Sequence, residues 1–137
     1  MRVLGLDLGS VTCGVSISDP LGMIARSVET IRFPEEDYEA CLKRVLEIIK
    51  ENQVEEIVLG LPKHMNGDVG IRGEVSKQFK AMLEEACGLK VTLWDERLTT
   101  VAAERILISG NVSRKKRKKV IDQMAAVQIL QSYLDRF

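Results

Sequence analysis

The chain has 137 residues, 45% of them apolar and 29% charged, with 20 basic against 20 acidic side chains and a formal net charge of zero. That length fits one domain over residues 1–137, able to bury roughly two-thirds of its unfolded surface, and the composition excludes a disordered or fibrous chain. No apolar run approaches the about 18 residues of a membrane helix, the first residues lack a signal-peptide layout, and three scattered cysteines (Cys13, Cys41, Cys87) with no Cys/His cluster argue against structural zinc; a location in the reducing cytoplasm is expected. Residues Arg2–Leu8 read as a strand, with Leu4, Leu6 and Leu8 on one side and Val3, Gly5 and Asp7 on the other. A second alternating strand follows over Thr12–Ser18, and the Asp19-Pro20-Leu21-Gly22 turn connects it as a hairpin to a third over Ile24–Ile31. Tyr38, Leu42, Val45, Leu46 and Ile49 recur at helical spacing and predict a helix over 35–51. Residues 56–60, short and nearly all apolar, read as a buried central strand. Val75, Phe79, Met82 and Leu83 then predict a helix over 73–86, followed by a strand over 90–94 and helices over 99–109 and 118–136.

A three-strand meander followed by two strand–helix–strand crossovers gives an α/β architecture: a five-stranded mixed sheet with helices on both faces. This is the element order of the ribonuclease H-like fold.

Acids stand out against this frame. Asp7 interrupts the apolar pattern of the first strand. Asp95 and Glu96 close the fifth strand, and because strand neighbours point to opposite faces only one of them can readily face Asp7; the pattern does not say which. Asp122 lies on the inward stripe of the last helix, with Ala125, Ala126, Ile129 and Tyr133 at offsets of three, four, seven and eleven. The two alanines allow that helix to approach the sheet closely. A buried carboxylate is costly unless paired or metal-bound, and an all-oxygen site suits Mg²⁺ or Mn²⁺. Each acid has a structural alternative as well: a turn cap or ion pair for Asp7, solvation for the Asp95–Glu96 pair, and the helix dipole for Asp122.

Charge is unevenly spread. Arg114, Lys115, Lys116, Arg117, Lys118 and Lys119 are six of the 20 basic residues, leaving 14 against 20 acidic ones elsewhere. A concentrated basic segment on an acidic body fits a mobile loop that settles on a polyanion. A glycine-rich stretch with Gly67, Gly70 and Gly73 lies between Pro62 and the helix over 73–86, where Lys63 and Arg72 could contact phosphates; His64, the one histidine, is no candidate for a general base. Arg97 could also reach a phosphate, and Thr99 or Thr100 could cap a helix.

GLDLGS with GVSISD, VLGLPKHMNG with Gly70 and Arg72, WDERLTT, and KKVIDQMAAVQILQSYL occur in this order and together span nearly the whole chain. On these motifs the chain resembles the YqgF/RuvX family of bacterial Holliday junction resolvase-like proteins, similar to RuvC-type resolvases. The resemblance implies that Asp7, Glu96 and Asp122 form a catalytic triad binding Mg²⁺ or Mn²⁺, preferring Glu96 to Asp95. It also implies a role in maturing the 5′ end of 16S ribosomal RNA, beside resolvase activity on branched DNA. Many members carry a basic residue where this chain has Val11, and Asn where it has His64.

The expected chemistry is hydrolysis of a phosphodiester, with two ions about 3.5–4 Å apart bridging the scissile phosphate and no covalent protein nucleophile. Lys63, Arg72, Arg97 and the run Arg114, Lys115, Lys116, Arg117 and Lys118 would hold the strand. Two rival readings remain: nucleotide binding, since GLDLGS also looks like the first phosphate loop of two-lobed sugar kinases and actin-like ATPases, and a non-catalytic nucleic-acid-binding module. Phosphate contacts carry no sequence information, so precursor ribosomal RNA and branched DNA are both open as partners. A symmetric junction would require a homodimer.

Overall fold

The computed structural model describes residues 1–62, 70–95 and 114–136, of which 114–123 as backbone alone. Five strands, β1 (Val3–Leu8), β2 (Thr12–Ser18), β3 (Ala25–Arg32), β4 (Glu56–Leu61) and β5 (Lys90–Asp95), form one sheet in the order β3-β2-β1-β4-β5. The meander β1–β2–β3 is antiparallel, whereas β4 and β5 run parallel to β1, so the C-terminal ends of β1, β4 and β5 meet at one edge of the sheet. Three helices are described: α1 (Tyr38–Asn52), α2 (Ile71–Cys87) and α3 (Arg114–Leu134).

The alternation in β1 divides the core in two. Leu4, Leu6 and Leu8 join Val15, Ile17, Ile57 and Leu59 against Val45 and Ile48 of α1 and Phe79 and Leu83 of α2. Val3 and Val58 face the other way, against Ile129, Leu130 and Tyr133 of α3. Helices therefore cover both faces, and α3 lies across β1, β2 and β3. At the β2–β3 turn, Asp19 Oδ1 accepts the N–H groups of Met23 and Ile24 at 2.7 and 3.0 Å, while Gly22 takes a left-handed φ of 70°. Those bonds hold the Asp19 carboxyl below the usual carboxylate range.

Element boundaries moved where local chemistry is strong. α1 begins at Tyr38, not at residue 35, because Glu36 adopts φ 60° and the Asp37 side chain caps the helix by accepting the Ala40 N–H. α2 starts two residues before its predicted start, with Gly70 at its N-cap. α3 begins at Arg114, so the basic run forms the first turns of a helix and not the loop expected from charge repulsion. Lys and Arg are strong helix formers, and that propensity outweighs the repulsion between like charges. The predicted helix over 99–109 lies outside the described residues.

Candidate active site

Asp7 is the penultimate residue of β1, half-buried, on the face covered by α3. It pairs with Gly14 on β2. On the other side Leu6 pairs with Leu59, so the next step along β1 meets Gly60, which in turn pairs with Trp94 of β5. Asp7 is thus flanked on both neighbouring strands by residues without side chains. Its carboxylate forms no hydrogen bond or ion pair among the described residues, which removes the cap and ion-pair explanations within that set.

A close approach seats α3 on β1. Ser16 Oγ donates to the Ala126 carbonyl at 2.7 Å and also lies 3.3 Å from the Gly5 carbonyl. A Cβ at Gly5 would stand only 2.4 Å from Ser16 Oγ and 2.7 Å from Leu130 Cβ. Ala125, Ala126, Ile129 and Tyr133 are all buried, as their shared stripe predicts. The Tyr133 hydroxyl donates to Glu56, whose strand partner is Val3 at the start of β1. α3 therefore runs antiparallel to β1, and going back from Ala126 leads towards Asp7. One helical turn is about 5.4 Å and two strand residues about 6.6 Å, so the backbone at position 122, one turn before Ala126, falls level with Asp7, two residues beyond Gly5.

The pleat of β5 separates the neighbouring acids. Val91 and Leu93 belong to the cluster under α1 and α2, whereas Trp94 packs with the α3-side cluster and donates from Nε1 to Ser132 Oγ at 3.1 Å. Alternation then gives Asp95 to the face opposite Asp7. Glu96, Lys63, His64 and Arg97 lie outside the described residues, as do the side chains of Asp122, Arg114, Lys115, Lys116, Arg117 and Lys118. Among the described residues no three His, Cys, Asp or Glu side chains cluster; Asp7 is the one member of the expected triad whose side chain is described.

Arg72, from the first turn of α2, reaches the end of β1: Nη2 donates to the Leu8 carbonyl at 3.3 Å and Nη1 to the Tyr38 hydroxyl at 3.1 Å. Tyr38 leans on Phe33 with ring centroids 5.8 Å apart. Sequence reasoning marked Arg72 but not Tyr38, whose apolar spacing in α1 gave it only a core role. Cys13 is buried in the cluster under α1 and α2, where its interaction with the neighbouring Cys41 and its burial push the thiol well above its usual range, so it stays protonated.

Comparison with known proteins gives a consistent result. A family model described as RuvX, Holliday junction resolvase, matches residues 1–136. A Geobacillus protein named "Putative pre-16S rRNA nuclease" is 62% identical over 135 residues, covering 98% of each chain. Among solved structures, Thermus thermophilus RuvC in complex with a Holliday junction substrate superposes with a TM-score of 0.65 at 15% identity, over 98% of this chain and 93% of RuvC. At that identity the likeness establishes the ribonuclease H-like fold. A hexokinase of the ROK class from the same organism gives a TM-score of 0.51 at 27% identity, over 78% of this chain but only 38% of the kinase. That match is restricted to a minor part of the kinase.

Proposed function

The chain belongs to the RuvX family, and on that footing we propose that it is a metal-dependent nuclease. Residues 1–137 form one domain, working in the cytoplasm, that hydrolyses phosphodiester bonds at the 5′ end of precursor 16S ribosomal RNA. The observation that carries this is the seating of α3 on Gly5, which brings the backbone of position 122 level with Asp7 at the sheet edge where β5 also ends. With Glu96, which follows the last residue of β5 in sequence, the carboxylates of Asp7, Glu96 and Asp122 would form an all-oxygen donor set suited to Mg²⁺ or Mn²⁺. An Asp7 carboxylate without a partner among the described residues fits such a set.

When bound, the metal supplies Lewis-acid stabilisation of phosphoryl oxygens and a water of lowered pKa. The chain itself positions. Asp7 is paired with Gly14 of β2, and the preceding Leu6 with Leu59 of β4, which fixes its direction. Arg72, Lys63, Arg97 and Arg114–Lys118 neutralise strand phosphates and orient the scissile bond. No protein nucleophile is required.

A second reading, resolution of a Holliday junction, is favoured by the description of the matching family model, and on a symmetric junction it requires a homodimer. Purified protein with Mg²⁺ or Mn²⁺ on precursor 16S RNA and on a four-way DNA junction, side by side, separates the two. Cleavage of the RNA alone supports the first reading, and paired symmetric nicks in the junction support the second. Asp7→Asn should abolish cleavage while preserving thermal unfolding and most RNA binding; full activity in that variant would sink the triad.

A further inference from the structure

We infer that the turn between β1 and β2, together with Arg72, forms a pocket for one phosphate group of the substrate strand, adjacent to the phosphate that is cut. This deepens the nuclease reading and rests on it. The Gly9 N–H donates to the Thr12 carbonyl at 2.6 Å, leaving Ser10 and Val11 as the two residues of the tip, both with negative φ. The tip is tied from behind: the Ser10 carbonyl accepts the Glu36 N–H at 2.9 Å and the Val11 carbonyl accepts the Phe33 N–H at 3.0 Å. With the carbonyls engaged, the N–H groups of Ser10 and Val11 and the Ser10 hydroxyl have no partner among the described residues. Val11 is 45% exposed, so the tip is accessible. Successive free N–H groups in a turn make a concavity for anions.

Arg72 adds the charge. Arg72 is half-buried, and its hydrogen-bond partners among the described residues, Tyr38 and the Leu8 carbonyl, are both neutral; it forms no ion pair among the described residues. A partly desolvated cation with only neutral partners calls for an anion. Of about five N–H donors on a guanidinium, two are used among the described residues, and the bond to the Leu8 carbonyl brings Arg72 to the end of β1, where the turn begins. Donors without base-reading groups suit a phosphodiester of any sequence.

The test is a binding cycle, by anisotropy without divalent metal, on precursor-RNA oligonucleotides carrying single neutral methylphosphonate linkages. One linkage flanking the cleavage position should weaken wild-type binding about tenfold, the scale of losing a charge-assisted hydrogen bond. Arg72→Gln and Ser10→Ala should each weaken binding of the fully charged strand, and in Arg72→Gln the penalty of that linkage should vanish. Because Arg72→Gln also frees Leu8, its unfolding temperature is measured alongside. If that temperature falls, Ser10→Ala, whose hydroxyl has no partner among the described residues, carries the cycle. A strand that binds with no linkage penalty dependent on Arg72 or Ser10 overturns the pocket and leaves the nuclease reading standing. Competition by free AMP at lower concentration than the strand assigns the pocket to a mononucleotide and also overturns it. Failure to bind or cleave any strand overturns both.

Discussion

Replacing Gly5 with alanine probes the contact on which the geometry of the site depends. The new methyl carbon would stand 2.7 Å from Leu130 Cβ and 2.4 Å from Ser16 Oγ. Carbon–carbon contacts settle at about 3.5–4.0 Å, so the shortfall is about 1 Å. Leu130 Cβ cannot yield by rotation, because it is the root of its side chain; α3 itself must lift. Ser16 can rotate away only by giving up its bond to the Ala126 carbonyl. Overpacking costs about 1–3 kcal/mol and the hydrogen bond about 1 kcal/mol, while alanine regains roughly 0.5–1 kcal/mol of glycine's unfolded-state entropy. The net loss is about 2–3 kcal/mol, a fall in Tm of roughly 6–12 °C for a chain of this length. A shift of about 1 Å in a catalytic group costs on the order of a hundredfold in rate, so single-turnover cleavage should fall that far in the folded protein. Thermal unfolding by circular dichroism and cleavage well below Tm measure the two effects separately. Adding Ser16→Ala should recover part of the stability, since the nearer obstacle is gone. If Gly5→Ala unfolds and cleaves like wild type, α3 is not seated on this glycine and position 122 is not set by it.

Two further outcomes follow from side-chain pairs away from the site. Tyr133→Phe removes the hydroxyl that donates to Glu56 but keeps the ring edge-on to Trp94 at 5.4 Å and under Arg136 at 3.7 Å; a loss of about 1–2 kcal/mol is expected by chemical denaturation, and an unchanged midpoint would show that the hydroxyl contributes nothing. The Arg44 guanidinium grips Glu29 through Nε and Nη2 at 3.1 and 2.6 Å, joining α1 to β3, and holds the Glu29 carboxyl below its usual range. A depressed carboxyl stabilises the fold above its unfolded pKa and ceases to do so as pH falls through the folded value. Between neutral pH and pH 3, Glu29→Gln should therefore lose less stability than wild type. Since both partners are about one-third exposed, the difference should be small and shrink in high salt; equal pH profiles would remove the pair from the account.

What the sequence made legible was periodicity. Strand alternation placed Leu4, Leu6 and Leu8 opposite Val3, Gly5 and Asp7, and the structure divides the core on that line. The alanines at 125 and 126 announced a close helix, and Gly5 is where that closeness is used. Helix starts were less legible, because competing terms of similar size decide them: repulsion among six cations loses to helix propensity at Arg114. The choice between Asp95 and Glu96 could not be made from alternation, which gives opposite faces but not which face is which. The side of β5 under α1 and α2 is fixed by Val91 and Leu93 packing with residues far away in sequence. Arg72 was visible as a cation but its hold on Leu8 was not, since the two are 64 positions apart.

The bond from Ser16 to Ala126 spans 110 positions. The meander that carries Asp7 pairs neighbours in sequence, yet position 122 lies more than a hundred residues further along the chain. A nascent chain emerging N-terminus first thus holds its first carboxylate long before the last one exists. If the three acids act as proposed, the hydrolytic centre is withheld until α3 has been made and has docked on β1, so the folded meander alone cannot cut RNA.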